Sequence, residues 1–543
     1  MNMASMWEAV VDRLPDKTAQ ICGDRRTTFR EFDERAARLA SALAAAGVGP
    51  GTKVALYLFN CNEYLETVFA AMKLRAVPVN VNYRYLADEL RYLLENSDAE
   101  ALVYHGALAE RVGAVRSYLP RLRTLVQVVT AEEDRVPLLA GAHGYEDLLA
   151  AYPPAPRIER SGDDYVFLYT GGTTGLPKGV MWRHKALYAQ LSASYMVLGG
   201  PPPATLDEVG EAAVKLDAMG HGGPGLAAAP LMHGMAWFSS MGRLMNGGAV
   251  VSLTKRSFDP HEFWQNVQRH RVGAATIVGD AFARPLVAAL EEAERRGEPY
   301  DIASLQMIVS GGVMWTPPYK QPFLDRGVAL LIDGLGSSEA TGAAMMISTK
   351  GQDLGTARFQ LNPGTRVLTE DGRDVVPGSG EIGVLAITGD ALPDGYYKDA
   401  AKTEATFRVV DGKRYAIPGD YARVEADGTL TLLGRGSVCI NTGGEKVYPE
   451  EVEEAVKLHP AVEDCTVVGV PDPAWGQAIT AVVSPRDGQA LRPDDVIALC
   501  KGKLAAYKAP KHVVVVERVL RSPAGKADYR WALEVAKRAL GTG

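Results

Sequence analysis

The chain has 543 residues and a net charge of −7, with 47% hydrophobic and 23% charged residues. This length and composition predict large buried cores divided between more than one domain. The acidic balance, without a long basic block, argues against a nucleic-acid partner, and the absence of an apolar run of roughly 18 residues argues against a membrane span.

The cysteines are scattered and lack the paired spacing of a metal site, so we expect reduced thiols with no metal or nucleophilic role. They are Cys22, Cys61, Cys439, Cys465 and Cys500. The first residues carry acidic side chains early and contain no apolar signal core. These features favour a cytoplasmic enzyme.

Helical and strand-like patterns alternate between residues 27 and 150. Residues 27–43 carry apolar side chains at helical spacing, and segments 54–59 and 76–81 are typical of buried strands on either side of a predicted helix over 62–73. Such alternation predicts an α/β fold of mainly parallel strands with helices on both faces. Sheets of this kind bind ligands at the carboxyl ends of their strands.

A strand followed by a loop of small residues comes next. Residues 165–169 are apolar and aromatic, and predict a buried strand that opens into a loop closed by Lys178. The loop consists of Thr170, Gly171, Gly172, Thr173, Thr174 and Gly175, before Leu176 and Pro177. Glycines let backbone N–H groups turn onto a polyanion, threonines add hydroxyl donors and Lys178 adds a positive charge. The pattern therefore predicts a phosphate site.

This loop differs from the Walker P-loop. Pro177 stands where glycine should precede the lysine, and Gly179 stands where Ser or Thr should follow it. An ordinary kinase or ATPase assignment thus loses its main support. The structural alternative is a flexible turn that joins the strand to a helix beginning near His184.

With this loop the chain resembles the adenylate-forming superfamily, which includes acyl-CoA synthetases, luciferases and the adenylation domains of peptide synthetases. The resemblance extends over nearly the whole chain through the motifs described next. It implies a large N-terminal domain of layered, mainly parallel sheets with helices, over residues 1–434. It also implies a small, mobile α+β lid domain over residues 435–543, and ATP bound at the phosphate loop.

The segment 230–238 holds a histidine and a tryptophan among apolar residues. A lone histidine in such surroundings is commonly a satisfied core residue. In the family, however, this segment lines the acyl tunnel and its histidine approaches the substrate carboxylate, which implies a catalytic and substrate-binding role for His233. Long-chain relatives carry a tryptophan gate at the position of Trp237. Nearby methionines would make the wall apolar and adaptable.

Two further strands end in glycine-rich turns. The strand over 308–310 ends at Gly311 and Gly312, which permit close approach of a flat ligand. In the family this kind of turn passes beside the adenine and the carboxylate. The strand over 329–332 runs into Asp333, expected beside the nucleotide, and Ser338, whose hydroxyl could bind the α-phosphate.

Glu339 follows directly and matches the acid with which the superfamily holds Mg²⁺ on the phosphates. A hard dication suits carboxylate and phosphate oxygens, and few protein ligands are needed when the nucleotide supplies the rest. The alternative is an acid at a helix N-terminus, which is common for dipole reasons. The chain departs from the family at Leu335, where relatives usually have an aromatic residue, and at Ser338, where they have Thr.

The resemblance also assigns the ribose site and the hinge. Asp420, in the segment 415–421, would accept from both ribose hydroxyls, and Arg435 would also reach the ribose. The family hinge residue, usually Asp or Lys, is replaced here by Ser437.

Beyond the hinge, two loops match those that relatives exchange at the active site. Gly443 and Gly444 would let the pantetheine arm of CoA pass beside the backbone, whereas Lys526, on a Gly/Pro loop, matches the C-terminal catalytic lysine. A helix after Tyr448 and strands near 467–470 and 513–516 are expected in this unit.

These residues together predict an ATP-dependent acyl-CoA synthetase that uses ATP, CoA and Mg²⁺. The carboxylate would attack the α-phosphate of ATP, and the CoA thiol would then attack the acyl-adenylate. Lys178, Lys526 and Glu339 would offset the charge that builds in the first step. The sequences of residues 333–339 and 434–446 resemble the corresponding sequences of synthetases for fatty or sterol side-chain acids.

Two alternatives remain open. A stand-alone adenylating enzyme could load a separate carrier protein, and a non-catalytic nucleotide-binding regulator could share the fold. The Gly/Pro-rich segment 199–225, with a helix predicted near 206–216, is interpreted as an insertion of unknown role. A homodimer is one alternative for the oligomeric state.

Overall fold

The computed structural model describes residues 1–170, 176–352, 354, 358–435, 438–442, 445–473, 475–504, 506–522 and 525–542, without the side chains of Val197, Arg435 and Lys446. The predicted loop residues 171–175, the hinge residue Ser437 and the predicted pantetheine loop residues Gly443 and Gly444 lie outside the described residues. No helix among the described residues combines the length and apolar character needed to cross a membrane.

The helices are α1 Met3–Arg13, α2 Phe29–Ala45, α3 Asn62–Lys73, α4 Ala87–Asn96, α5 Ala109–Arg116, α6 Tyr145–Ala151, α7 His184–Leu191, α8 Leu206–Ala218, α9 Gly234–Met245, α10 Pro260–His270, α11 Gly279–Arg295, α12 Pro317–Asp325, α13 Ala400–Thr406, α14 Pro449–Lys457, α15 Pro493–Lys503 and α16 Tyr529–Leu540, with 3₁₀ segments at Gly106–Leu108, Glu132–Asp134 and Ser192–Leu198.

The strands are β1 Thr18–Cys22, β2 Arg25–Thr28, β3 Lys53–Tyr57, β4 Val77–Asn80, β5 Ala99–His105, β6 Thr124–Val128, β7 Ala142–Gly144, β8 Tyr165–Thr170, β9 Lys178–Arg183, β10 Gly225–Ala227, β11 Val250–Ser252, β12 Ala274–Ile277, β13 Met307–Gly311, β14 Leu330–Leu335, β15 Ala344–Ser348, β16 Arg358–Leu361, β17 Thr365–Leu368, β18 Gly383–Ile387, β19 Gly395–Tyr396, β20 Phe407–Val410, β21 Lys413–Ala416, β22 Asp420–Val424, β23 Leu430–Arg435, β24 Ile440–Thr442, β25 Glu445–Val447, β26 Val462–Asp472, β27 Gly476–Pro485 and β28 His512–Val515.

Contacts between Cα atoms divide the described chain into two compact units. Unit 1 contains residues 1–170, 176–354 and 388–408, and unit 2 contains residues 358–387 and 409–542. The proposed domain boundary after residue 434 is a different division, and it stays a prediction.

Unit 1 is built on two mainly parallel sheets. One sheet has the order β2-β1-β11-β10-β12-β13-β14-β15, antiparallel only at its two outer pairs. The other has the order β19-β9-β8-β4-β3-β5-β6-β7, in which β8, β9 and β19 pair antiparallel and the remaining strands are parallel. Helices α4 and α5 pack on the second sheet through buried apolar residues. The α/β layering predicted from the sequence is confirmed.

Local sequence explains several element boundaries. Thr28 begins α2 with a capping box: its hydroxyl accepts from the Glu31 N–H at 3.2 Å, and the Glu31 carboxylate accepts from the Thr28 N–H at 2.8 Å. The predicted helix over 62–73 is α3, and its residues are buried on all sides.

The chain after the phosphate loop differs from the prediction. The expected connection from the strand to a helix near His184 contains a further strand, β9, which pairs antiparallel with β8 from Thr170↔Lys178 to Tyr165↔Arg183. Lys178 is therefore the first residue of a strand in a β-hairpin. The predicted helix does begin at His184, as α7.

Unit 2 contains an antiparallel sheet in the order β16-β23-β22-β18-β21-β20, with β17 on β18. A second sheet has the order β25-β24-β27-β26, with β28 parallel to β27. The long pair β26 and β27 carries apolar residues on both faces, because side chains alternate along a strand. One face packs with α14 and α15, and the other packs with α16. This is the α+β arrangement predicted for the C-terminal part.

Candidate active site

The carboxyl ends of β13 and β14 form a glycine-lined edge. Gly311 stands opposite Gly334 in the parallel ladder. A Cβ atom at Gly311 would lie 3.0 Å from the Gly334 carbonyl oxygen and 3.3 Å from the sulfur of Met235. Gly312 is exposed and has φ of +87°, a conformation that side chains disfavour. Neighbouring atoms therefore leave no room for a side chain at Gly311, and the contact of these glycines with a flat ligand stays a prediction.

The start of α9 lies beside this edge. His233 is the N-cap of α9, and a Cβ atom at Gly234 would lie 3.6 Å from the Phe238 ring and 4.0 Å from the hydroxyl of Ser338. The Trp182 indole N–H donates to the Ser338 carbonyl at 3.1 Å, and its ring meets Phe238 edge-on with centroids 5.4 Å apart. The predicted acyl segment and the predicted phosphate-binding serine are thus brought together.

A buried amide joins the acyl segment to the phosphate hairpin. The Asn80 side chain donates to the backbone carbonyls of Tyr169, at 3.0 Å, and Met232, at 2.6 Å. Asn80 ends β4, Tyr169 lies near the end of β8 and Met232 precedes α9. The end of β8 is therefore held next to the segment that carries His233. Sequence analysis did not identify Asn80, since an asparagine at the end of a strand is common.

Trp237 lies in the core of unit 1. Its side chain is 2% exposed and meets Phe238 edge-on at 5.3 Å. Along α9 the partly exposed positions, at the spacing of one helix face, are Gly234, Met235, Phe238, Ser239, Gly242 and Arg243. The accessible wall of α9 is consequently formed by these residues, and the gating role of Trp237 stays a prediction.

The predicted phosphate lysine and the predicted metal acid are both held by one short segment, residues 394–399. The Lys178 ammonium pairs with Asp399 at 2.7 Å and lies 5.6 Å from the centre of the Tyr396 ring. The Tyr396 hydroxyl donates to Oε1 of Glu339 at 2.8 Å. Lys178 and Glu339 therefore both lie beside the Tyr396 side chain.

Backbone pairing fixes this segment. In β19, Tyr396 stands opposite Val180 of β9, and the Tyr397 N–H donates to the Gly179 carbonyl at 2.8 Å. Asp399 caps α13 by accepting from the Lys402 N–H at 3.0 Å. Hydrogen bonds from Lys178 and the Lys402 backbone hold the pKa of Asp399 below its usual value. Tyr396 and Asp399 were not predicted from the sequence.

Asp333 is buried one residue before the glycine edge. Burial raises its pKa to about 7, although the nearby Lys320 ammonium opposes that rise. Lys320 is 0% exposed, and its nitrogen lies 3.5 Å from Oδ2 of Asp333. The predicted nucleotide residue therefore has a buried cationic partner on α12.

The predicted ribose residues occupy neighbouring strands of unit 2. Asp420 at the start of β22 stands directly opposite Arg435 at the end of β23. Gly434 has φ of +122°, and a side chain there would collide with the Glu450 carboxylate of α14. Lys526 is exposed on a tight turn, in which its N–H donates to the Ser522 hydroxyl at 3.2 Å. The exposure of Lys526 is compatible with contact to a substrate.

The chemistry of Glu339 fits a magnesium ion that also binds phosphate oxygens. Within the described part of the chain, no group of three or more His, Cys, Asp or Glu side chains could hold a metal by itself. A single carboxylate is sufficient for Mg²⁺ when a nucleotide supplies the other oxygens. Glu339 is partly exposed and oriented by Tyr396, so it meets this requirement.

Comparison with solved structures shows the same fold. The anthranilate CoA ligase AuaEII in complex with anthranoyl-AMP matches with a TM-score of 0.84 at 22% identity, covering 100% of this chain and 98% of that one. A benzoate CoA ligase from Burkholderia xenovorans LB400 matches with a TM-score of 0.80 at 23% identity, covering 98% and 99%. At these identities the likeness shows the fold alone.

Comparison with curated sequences shows closer relatives. The 3-oxocholest-4-en-26-oate--CoA ligase of Rhodococcus rhodochrous is 44% identical over 542 residues, covering 98% of this chain and 95% of the relative. The medium-chain acyl-CoA ligase Mig of Mycobacterium avium is 43% identical, covering 97% of each. The AMP-binding enzyme family matches residues 7–397, and the AMP-binding enzyme C-terminal domain matches residues 451–526. The chain therefore belongs to the AMP-binding enzyme family of the adenylate-forming superfamily.

Proposed function

We propose that this chain is an AMP-forming acyl-CoA ligase. A carboxylate oxygen of the acid attacks the α-phosphorus of ATP, and diphosphate leaves. The CoA sulfur then attacks the acyl carbonyl carbon, AMP leaves, and the thiol proton is released. The observation that carries the proposal is the placement of Lys178 and Glu339 together by Tyr396 and Asp399, beside the hairpin that opens the phosphate loop.

The residues of unit 1 have distinct roles in the first step. Lys178 contacts the phosphates, and the hydroxyl of Ser338 contacts the α-phosphate. Glu339 would hold Mg²⁺, which when bound supplies positive charge against the developing negative charge. The Tyr396 hydroxyl orients the Glu339 carboxylate for that ion. His233 at the N-cap of α9 approaches the acid carboxylate next to Gly311.

The residues of the C-terminal part serve the ribose and the exchange of steps. Asp420 and Arg435, opposite each other on β22 and β23, hold the ribose. Lys526 acts in adenylation, and the Gly443 and Gly444 loop acts in thioester formation. A lid of residues 435–543, hinged at the end of β23, exchanges these two loops between the steps.

The acid is a fatty acid or a sterol side-chain acid. The relatives named above are ligases for 3-oxocholest-4-en-26-oate and for medium-chain acyl groups. The accessible face of α9 suits such a substrate, since Met235 and Phe238 are apolar and Ser239 and Gly242 leave room for a bulky group.

A diphosphate-release assay tests this proposal. Purified protein is given ATP, Mg²⁺ and one acid at a time from aliphatic, aryl and steroid series, and the product is identified by mass spectrometry with CoA present. Acyl-CoA and AMP are expected with aliphatic or steroid side-chain acids. Acyl-adenylate without transfer to CoA would instead indicate a carrier-protein acceptor, and no AMP with any acid would refute the ligase assignment.

A further inference from the structure

A lysine without solvent contact lies beneath the glycine edge. Lys320 of α12 is 0% exposed, and its ammonium makes no hydrogen bond of good geometry with the residues that the structure describes. Its partners are Asp333, as an ion pair at 3.5 Å, and the Trp315 ring, whose centre is 5.5 Å away. An ion pair at this distance offsets the charge of the lysine only in part.

Burial of such an ion pair carries a large desolvation free energy. Moving both charges out of water is costly, and an apolar pair of similar volume frequently gives equal or greater stability. The cost is visible in both groups: burial lowers the pKa of Lys320 and raises the pKa of Asp333. Perturbed pairs of this kind concentrate at functional sites.

The position of Asp333 in the sheet suggests a function for the ion pair between Lys320 and Asp333. Asp333 stands opposite Ser310 in the parallel ladder, one residue before the facing glycines Gly311 and Gly334. This is the carboxyl end of two parallel strands, where ligands bind in α/β sheets. Asp333 therefore belongs to the strand end that the proposed function assigns to the nucleotide, and its carboxylate is held from α12 by Lys320.

We propose that Lys320 is a positioning residue for nucleotide recognition, which holds Asp333 as a charged acceptor for the exocyclic amine of adenine. The inference rests on the proposed function. An ionised carboxylate only accepts hydrogen bonds. Adenine presents an amine donor at the position where guanine presents a carbonyl acceptor, so a carboxylate there accepts ATP and repels GTP.

Ionisation of Asp333 therefore sets the base preference. Two charged groups face it from neighbouring helices: Lys320 on α12 lowers its pKa, and Asp280 on α11 raises it. Asp280 is itself fixed by Thr316, whose N–H and hydroxyl donate to it at 2.8 Å and 3.0 Å. Removal of the lysine leaves Asp333 facing only a carboxylate. The carboxyl group then takes up a proton at higher pH, and a protonated carboxyl group can donate to the guanine carbonyl.

The test measures binding of ATP and GTP by isothermal titration calorimetry between pH 6 and pH 9. In the wild type, the ATP-to-GTP affinity ratio is expected to rise with pH as Asp333 ionises. In Lys320→Met the ratio is expected to fall about tenfold at pH 7.5, and its rise is expected to move to higher pH. The corresponding change in diphosphate release is expected in the ATP KM, with kcat nearly unchanged.

Two further variants separate positioning from folding. Lys73→Met breaks a buried ion pair elsewhere in unit 1, in which Lys73 lies 2.7 Å from Glu8, and it is expected to lower stability without moving the ATP-to-GTP ratio. The double variant Lys320→Met with Asp333→Asn contains no buried charge at the pair. It is expected to fold even if the single variant does not, and to lose the pH dependence of base preference.

The outcomes distinguish the role of Lys320 from the proposed ligase activity. An active wild type whose base preference is independent of pH, or a Lys320→Met variant that keeps the wild-type ratio and profile, would overturn the role of Lys320. A double variant that keeps the wild-type pH dependence would overturn it as well. A wild type that binds ATP but forms no adenylate with any acid would count against the ligase proposal and leave the base-recognition result standing.

Discussion

The ion pair between Lys178 and Asp399 predicts that ATP must compete for the phosphate lysine. Both side chains are about one-third exposed, 38% for Lys178 and 33% for Asp399, and their atoms are 2.7 Å apart. A pair with this exposure is worth about 0.2–1 kcal/mol. Phosphate binding by Lys178 has to replace this interaction, so the pair weakens ATP binding by a corresponding amount.

We expect Asp399→Asn to tighten ATP binding. At about 1.4 kcal/mol per tenfold change, the loss of the pair lowers the ATP Kd by about 1.4-fold to 5-fold. The asparagine oxygen can still accept from the Lys402 N–H, which preserves the cap of α13. Calorimetric titration with ATP in the absence of acid measures the effect, which should be larger at low salt because exposed charges are screened.

Asp163→Asn is the matched control. Asp163 is also an acidic residue of unit 1 that pairs with basic side chains, Arg183 and Lys185, but it does not contact Lys178. Its removal changes the net charge equally and is expected to leave the ATP Kd within twofold. If Asp399→Asn weakened ATP binding, Asp399 would instead position Lys178 for the nucleotide, and ATP would not compete with Asp399 for Lys178.

Three further predictions follow from the site and the core. Lys526→Ala should slow adenylation by orders of magnitude, yet transfer CoA at near the wild-type rate when supplied with synthetic acyl-adenylate; equal loss in both half-reactions would contradict a rotating lid. Phe238→Ala should change the preferred acid at constant ATP KM, and more strongly than Trp237→Ala, since Phe238 is on the accessible face of α9; the acid panel decides between them. His184 has its pKa lowered to about 4 by burial, so its contribution to stability is complete above pH 6.5 and is lost as the pH falls toward 4. In urea unfolding between pH 7.5 and pH 5, His184→Asn should therefore lose about 2 kcal/mol less than the wild type.

The helices and strands that were predicted correctly are those whose signal lies in consecutive residues of the sequence. The helix α3 was predicted over its full length, and β8 and the start of α7 at His184 were also correct, because apolar runs and helix starts are properties of consecutive residues. The strand β9 was missed. Its residues include a lysine, a glycine and an arginine, and its strand conformation is set by pairing with β8 and β19.

Motifs in the sequence identified the candidate site residues, but they could not predict which of these residues contact one another. Lys178 and Asp399 are 221 residues apart in sequence, and Tyr396 and Glu339 are 57 apart, so no spacing rule indicates that they meet. Trp237 shows the opposite difficulty. Its gating role stays a prediction, but its burial could not be inferred from its place after His233, because a shift of one residue on a helix turns a side chain by about 100°. That rotation places Trp237 in the core and Phe238 on the accessible face.

The long strand pair of unit 2 has helices on both of its faces. Cys465, Val467 and Ile479 pack on the side of α14 and α15, whereas Val468 and Val470 pack with Ala532 and Ala536 of α16. A sheet covered on both sides by its own sequence needs no borrowed apolar surface to remain soluble. If this segment were exchanged between homologous ligases, the strand pair and its three helices would therefore bring their own apolar contacts with them.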